Sequence, residues 1–165
     1  MGLKNLWVML PFVRTVKELM EVKKIMAAAN LHRTASFKLF MMVEIPANVI
    51  LLDEFIKVGI DGVSIGSNDL TMLILGTDRD NHEVATEFDE RNAAVLWAYE
   101  RVIKSCNKYG IVSGICGQAP STYPDLVEKL VDWGIHSISV SPDAIDTARH
   151  TIYAVEQKIL RRGKS

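Results

Sequence analysis

Five short apolar runs, each followed by a stretch of helical periodicity, constrain this chain more than any other feature. The runs cover residues 6–10, 37–43, 62–66, 112–116 and 137–141. Such continuous runs are what strands buried on both faces require. The helical stretches fall at residues 15–29, 46–58, 70–75, 91–109, 121–133 and 142–160. Thr15 with Glu18 three residues on predicts a capping box for the first of them. Pro46 favours the first turn of the second, and Gly59, Gly76, Gly110 and Gly134 mark helix ends. Alternating units of roughly 30 residues imply a parallel sheet with crossover helices. Five of them fit an open doubly wound sheet, or five eighths of a (β/α)₈ barrel, which takes roughly 250 residues. Pattern alone does not separate these two.

The bulk numbers remove several function classes. The 165 residues suit one domain, read over 1–165, and carry 48% hydrophobic and 24% charged side chains with a net charge of −1. No long basic run supports nucleic acid or an anionic membrane as a partner. No apolar segment spans a bilayer, since Glu44 and Pro46 interrupt the best candidate. No signal peptide is visible, and Cys106 and Cys116 are the only cysteines, which predicts a reducing cytoplasmic home. Cys106 reads as core, as do Trp7, Trp97 and Trp133.

Ligands bind at the carboxyl ends of parallel strands. There the chain places Pro11 to Arg14, Glu44, the run Gly66-Ser67-Asn68-Asp69, Cys116-Gly117-Gln118, and Ser141 with Asp143. Either acid alone reads as a solvated carboxylate or a helix cap. Together Glu44 and Asp69 suit Mg²⁺, which takes oxygen ligands and keeps positions open for water and substrate. A buried structural thiol is the default for Cys116, but its edge position also fits proton transfer at carbon or nucleophilic attack. Arg79, in the polar insertion 77–89, fits an anion through paired hydrogen bonds, or a surface ion pair with Asp78 and Asp80.

Three motifs in order carry a resemblance: Met42-Val43-Glu44-Ile45-Pro46-Ala47, Ile65-Gly66-Ser67-Asn68-Asp69-Leu70-Thr71, and Gly114-Ile115-Cys116-Gly117-Gln118-Ala119-Pro120-Ser121. With Gly76-Thr77-Asp78-Arg79-Asp80 and Met9-Leu10-Pro11-Phe12-Val13-Arg14-Thr15, they resemble the PEP-utilising enzyme family, its phosphoenolpyruvate synthases most closely. The resemblance implies a (β/α)₈ barrel that binds pyruvate or phosphoenolpyruvate. It implies Mg²⁺ on Glu44 and Asp69, and a substrate pocket lined by Gly66, Ser67, Asn68, Asp69 and Arg79. It implies proton transfer at the substrate methyl carbon by Cys116. The phosphoryl group is expected from a histidine on a separate domain charged from ATP by another, in a cytoplasmic gluconeogenic reaction.

Two departures stand out. Met72 occupies a position where the family usually has glutamine, and the match begins in mid-barrel, with three upstream βα units and the phosphohistidine and ATP-binding domains outside it. Met1-Gly2 thus reads as the start of a truncated or split product. An unpaired first strand is expected to invite self-association into a homo-oligomer, or pairing with a separate fragment. The chain alone is expected not to complete phosphoenolpyruvate synthesis. The competing expectations are a Mg²⁺-dependent pyruvate or oxaloacetate lyase or aldolase, which needs no Cys116, and a non-catalytic assembly or regulatory module.

Overall fold

The computed structural model describes residues 5–78, 81 and 83–162. Arg79 and His82 lie outside the described residues. Five parallel strands form one sheet in the order β1-β2-β3-β4-β5. They are β1 (Trp7–Leu10), β2 (Lys38–Val43), β3 (Gly62–Gly66), β4 (Val112–Cys116) and β5 (Ser137–Ile138). A doubly wound sheet reverses its strand order at the switch point. This sheet does not reverse, so the five units form a sequential stretch of a (β/α) barrel.

Among the described residues eight α-helices connect and cover the strands: α1 (Val16–Ala28), α2 (Pro46–Ile50), α3 (Leu52–Lys57), α4 (Ser67–Leu75), α5 (Ala93–Tyr109), α6 (Ala119–Thr122), α7 (Pro124–Asp132) and α8 (Ile145–Arg162). One face of the sheet presents Leu39, Met41, Val43, Val63, Ile65 and Ile115 to the core, all at 1% exposure or less. Leu19, Leu52, Phe55, Tyr99, Ile103 and Leu126 come down onto them from the helices. Cys106 is core as expected, and burial pushes its thiol up to about 12.

Several elements depart from expectation for identifiable reasons. Strand β1 is not buried on both faces, and Trp7 is 62% exposed. Among the described residues it pairs with β2 alone, at the edge of the sheet, and the Trp7 indole stacks on Phe40 at 5.2 Å. Trp97 is also exposed, because α5 turns Val95, Ala98, Tyr99 and Val102 inward and leaves Trp97 outside. The helix expected over 121–133 breaks at Tyr123, which is extended (φ −121°, ψ 94°). Pro124 follows, and a residue before proline is pushed out of the helical region. The helix expected over 46–58 breaks at Leu51. Its first turn is held by Asn48 at the sheet edge, while α3 seats Leu52, Phe55 and Ile56 in the core. Strand β5 is two residues long, and beyond it the backbone leaves the ladder for the Ser121 hydroxyl, which accepts from Ser141 N at 2.8 Å.

The first helix is capped as Thr15 predicts, its hydroxyl accepting from Glu18 N at 3.1 Å. The return bond is displaced by one residue: Glu18 accepts from Arg14 N at 2.7 Å.

At the amino edge of the sheet, Asp61 accepts two bonds from Arg33 (2.8 and 2.7 Å) and one from Leu39 N (2.8 Å). The Arg33 hydrogen bonds hold its carboxyl below the usual range, against a smaller opposing effect of burial. A depressed carboxyl stabilises the fold above the unfolded value near 3.9 and loses that contribution as pH falls through the folded value. We expect Asp61→Ala to cost about 1–3 kcal/mol at pH 7. The gap between variant and parent is expected to shrink toward pH 2. Urea melts at the two pH values check this, and an equal gap at both would contradict it.

Candidate functional site

The register brings three strand ends side by side. Val43 pairs with Ile65, and Gly66 pairs with Cys116. Glu44, one residue past β2, therefore neighbours Gly66, which neighbours Cys116. An acid and a thiol distant in sequence thus share one edge.

Glu44 is 4% exposed. Its Oε1 accepts from Phe12 N at 2.7 Å. Burial pushes its carboxyl above the ordinary range, the Phe12 amide pulls it back, and the charge of Asp69 adds to the rise. A β-carbon at Gly66 would lie 3.0 Å from both Glu44 Cβ and Oε2, so the glycine makes room for this carboxylate. Phe12 holds a left-handed backbone (φ 49°), uncommon for a non-glycine residue. That strained conformation accompanies the aim of its amide at Glu44, the kind of local cost found at functional sites.

Asn48 fastens the same corner and was not singled out in the sequence. Fully buried, it accepts from Ile45 N at 3.2 Å and donates to Val13 O at 2.6 Å. It thereby ties the loop after β1 to the end of β2.

The helix after β3 begins at Ser67 rather than Leu70. Strand β3 runs into it through Gly66 with no intervening loop, so Ser67, Asn68 and Asp69 form its first turn. Asp69 there is favoured by the helix dipole. Ser67 is fully buried, and its hydroxyl bonds Tyr99, whose own hydroxyl is pushed far up by burial. Asn68 and Asp69 keep partial exposure. The Asn68 Oδ1 accepts from Gln118 N at 3.3 Å, which fixes the turn after β4 against α4.

That turn depends on Gly117, whose φ is +103°. A β-carbon there would fall 2.2 Å from Ser67 Oγ. Gly117→Ala combines left-handed strain with overpacking, and we expect it to cost about 2–4 kcal/mol. A denaturant melt measures this, and a loss under about 0.5 kcal/mol would show that the turn relaxes freely.

Cys116 is half-buried. Its Sγ accepts from Ser64 Oγ at 3.5 Å and approaches Ile65 O at 3.5 Å and Met42 Sδ at 3.7 Å. Ser64 is a second residue that sequence reasoning passed over. The two-residue strand period places it on the same face as Gly66, but its pairing with Cys116 comes from strand register, which no local signal encodes.

Among the described residues no group of three or more His, Cys, Asp or Glu converges. Glu44 and Asp69 are the two acids at this edge, and the charge of Asp69 reaches Glu44. They fit Mg²⁺: both are hard oxygen ligands, and a divalent cation relieves the repulsion and burial that raise Glu44. No described helix is long and apolar enough to cross a membrane.

Comparison with known proteins agrees with this geometry. Residues 1–157 match the PEP-utilising enzyme family over its PEP-binding domain. Phosphoenolpyruvate synthase of Aeropyrum pernix is 52% identical over 161 residues, which is 96% of this chain and 20% of that protein. The Helicobacter pylori phosphoenolpyruvate synthase is 44% identical over 164 residues, 99% of this chain and 20% of that protein. The chain thus spans about a fifth of the length of these relatives. RipC from Yersinia pestis shares the fold at a TM-score of 0.63 and 14% identity, covering 88% of this chain and 63% of that one. A sequential parallel sheet, an acid, thiol and glycine edge, and a match over nearly its whole length make this chain a member of the PEP-utilising enzyme family, carrying its PEP-binding domain.

Proposed function

We propose that this chain is the pyruvate- and phosphoenolpyruvate-binding part of a phosphoenolpyruvate synthase-type phosphotransferase. The adjacency of Glu44, Gly66 and Cys116 across three strand ends carries the proposal. Glu44 and Asp69 would hold Mg²⁺, which would supply Lewis-acid stabilisation of negative charge on the oxygens of a bound 2-keto acid. Asn68 and the first-turn amides of α4 orient the substrate oxygens, aided by the positive end of that helix. Arg79, outside the described residues, is assigned the phosphoryl group by the family resemblance alone.

Cys116 works at the methyl carbon. Its thiolate takes a methyl proton: the C–H bond breaks, the pair remains on the enolate, and an S–H bond forms. The enolate oxygen then attacks phosphorus of a phosphohistidine on another domain, the P–N bond breaks, and histidine leaves. Over the full cycle ATP, pyruvate and water become AMP, phosphoenolpyruvate and phosphate.

The test is a chimera. The matching fifth of the Aeropyrum pernix synthase is replaced by this chain. Phosphoenolpyruvate formation from ATP and pyruvate is the expected result. A folded chimera that binds pyruvate and still makes none would overturn the proposal.

A further inference from the structure

Ser67, Thr71 and Tyr99 are fully buried, and each carries a hydroxyl. Ser67 and Thr71 lie one turn apart on α4, and Tyr99 comes from α5. The Thr71 and Tyr99 oxygens are 3.3 Å apart, the Tyr99 hydroxyl bonds Ser67, and Ser67 Oγ reaches Asn68 Oδ1 at 3.4 Å. These oxygens form one row from the core to the strand edge.

The outer end of the row fixes its direction. An amide oxygen only accepts, so Ser67 donates to Asn68. Each hydroxyl has a single proton. Ser67, whose proton is committed to Asn68, therefore accepts from Tyr99, and Tyr99 in turn accepts from Thr71. Hydrogen bonds that run in one sense polarise and strengthen one another. The Gln118 amide also donates to Asn68 Oδ1, at 3.3 Å. Both bonds to Oδ1 are long, so they hold the amide jointly rather than singly. A β-carbon at Gly117 would fall on Ser67 Oγ and 3.2 Å from Asn68 Oδ1, so the glycine leaves room for both oxygens.

A primary amide has one accepting arm and one donating arm. Turning the Asn68 amide over would set its N–H groups against the Ser67 and Gln118 donors. The row thus keeps Nδ2 on the side away from them, on a residue that is partly exposed at the strand edge. Resting on the function proposed above, we infer that Ser67 and Tyr99 are positioning residues, which fix the Asn68 amide so that its Nδ2 donates to an anionic oxygen of the bound 2-keto acid. The hydroxyls of Ser67 and Tyr99 are buried and act on the ligand only through Asn68.

The direction of the row sets the order of the effects. Calorimetric titration of oxalate, a two-carbon dianion, at saturating Mg²⁺ reads them in the chimera. Ser67→Ala removes a donor to Oδ1 and is expected to weaken oxalate binding about fivefold. Tyr99→Phe leaves that donor in place without its support and is expected to cost about twofold. Thr71→Val also deletes a buried hydrogen bond, but one that no step toward Asn68 needs, and is expected to bind as the parent does. A purely structural role would make affinity follow stability, with Thr71→Val losing as much as Tyr99→Phe. That result, or parent affinity in a folded Ser67→Ala, would overturn the inference. If Ser67→Ala does not fold, Tyr99→Phe against Thr71→Val carries the comparison, and equal affinities overturn it.

Side-chain ¹⁵N relaxation of Asn68 in the free 165-residue chain gives a reading without ligand. The amide is expected to be rigid in the parent and in Thr71→Val, and to fall below an order parameter of about 0.6 in Ser67→Ala. A parent that binds no oxalate, with Asn68 loosened by Ser67→Ala alone, would sink the proposed function and leave the orientation of Asn68 standing. Oxalate bound equally by all variants, with Asn68 equally rigid in each, would sink this inference alone.

Discussion

Replacing Cys116 by alanine in the chimera is expected to slow deuterium exchange at the pyruvate methyl group by about a thousandfold, or about 4 kcal/mol of transition-state stabilisation. The magnitude follows from the task. A methyl proton next to a carbonyl leaves slowly without a placed base, and a positioned base contributes roughly 10²–10⁴. Cys116 is the titratable group at the end of β4, half-buried and fixed by Ser64, Ile65 and Met42. The substitution removes only a sulfur, so pyruvate binding is expected to hold. Exchange is measured by proton NMR in deuterated buffer with Mg²⁺ present. Unchanged exchange would remove the thiol from the chemistry and favour a lyase or aldolase reading, in which Cys116 is a bystander.

The second large effect concerns the acids. Glu44→Gln is expected to weaken Mg²⁺ binding about a hundredfold, or about 2.7 kcal/mol. Glutamine keeps the shape and can still accept from Phe12 N, but it removes the charge that a hard cation needs. Asp69→Asn is expected to act in the same direction and to a smaller extent, because Asp69 is more exposed than Glu44. Calorimetric titration of Mg²⁺ in the presence of oxalate, a planar mimic of the pyruvate enolate, gives both numbers. Equal affinity in parent and Glu44→Gln would place the cation elsewhere.

Much of this architecture was legible in advance, and the reason is physical. Parallel strands covered on both faces must be apolar throughout, so β2, β3 and β4 announce themselves within a residue of their observed ends. The same rule failed at β1, where an equally apolar run forms an edge with Trp7 exposed, because composition cannot say how many neighbours a strand has. The break at Tyr123 was readable from Pro124, whereas the break at Leu51 was not, since it reflects a conflict between Asn48 at the edge and Phe55 in the core.

The site divides along similar lines. Glu44, Asp69 and Cys116 could be picked out because acids and thiols at strand ends carry chemistry on their own. Ser64, Asn48 and the Phe12 amide could not, because each matters only through a partner 32 to 52 positions away in sequence. Strand register creates those pairings, and nothing local encodes it. Ser67 shows another side of this: it sits in the expected segment, and its buried hydroxyl lies between Tyr99 and the Asn68 amide oxygen, to which it donates at 3.4 Å, a pairing that only the fold reveals.

The most direct test of a shared edge uses Mn²⁺ as a paramagnetic stand-in for Mg²⁺. Titrated into the ¹⁵N-labelled chain with oxalate, it is expected to broaden the amide signals of Glu44, Gly66 to Asp69 and Cys116 to Gln118 first and together. Early broadening confined to surface acids such as Asp53 or Glu54, with those three segments left sharp, would contradict a common metal and substrate site.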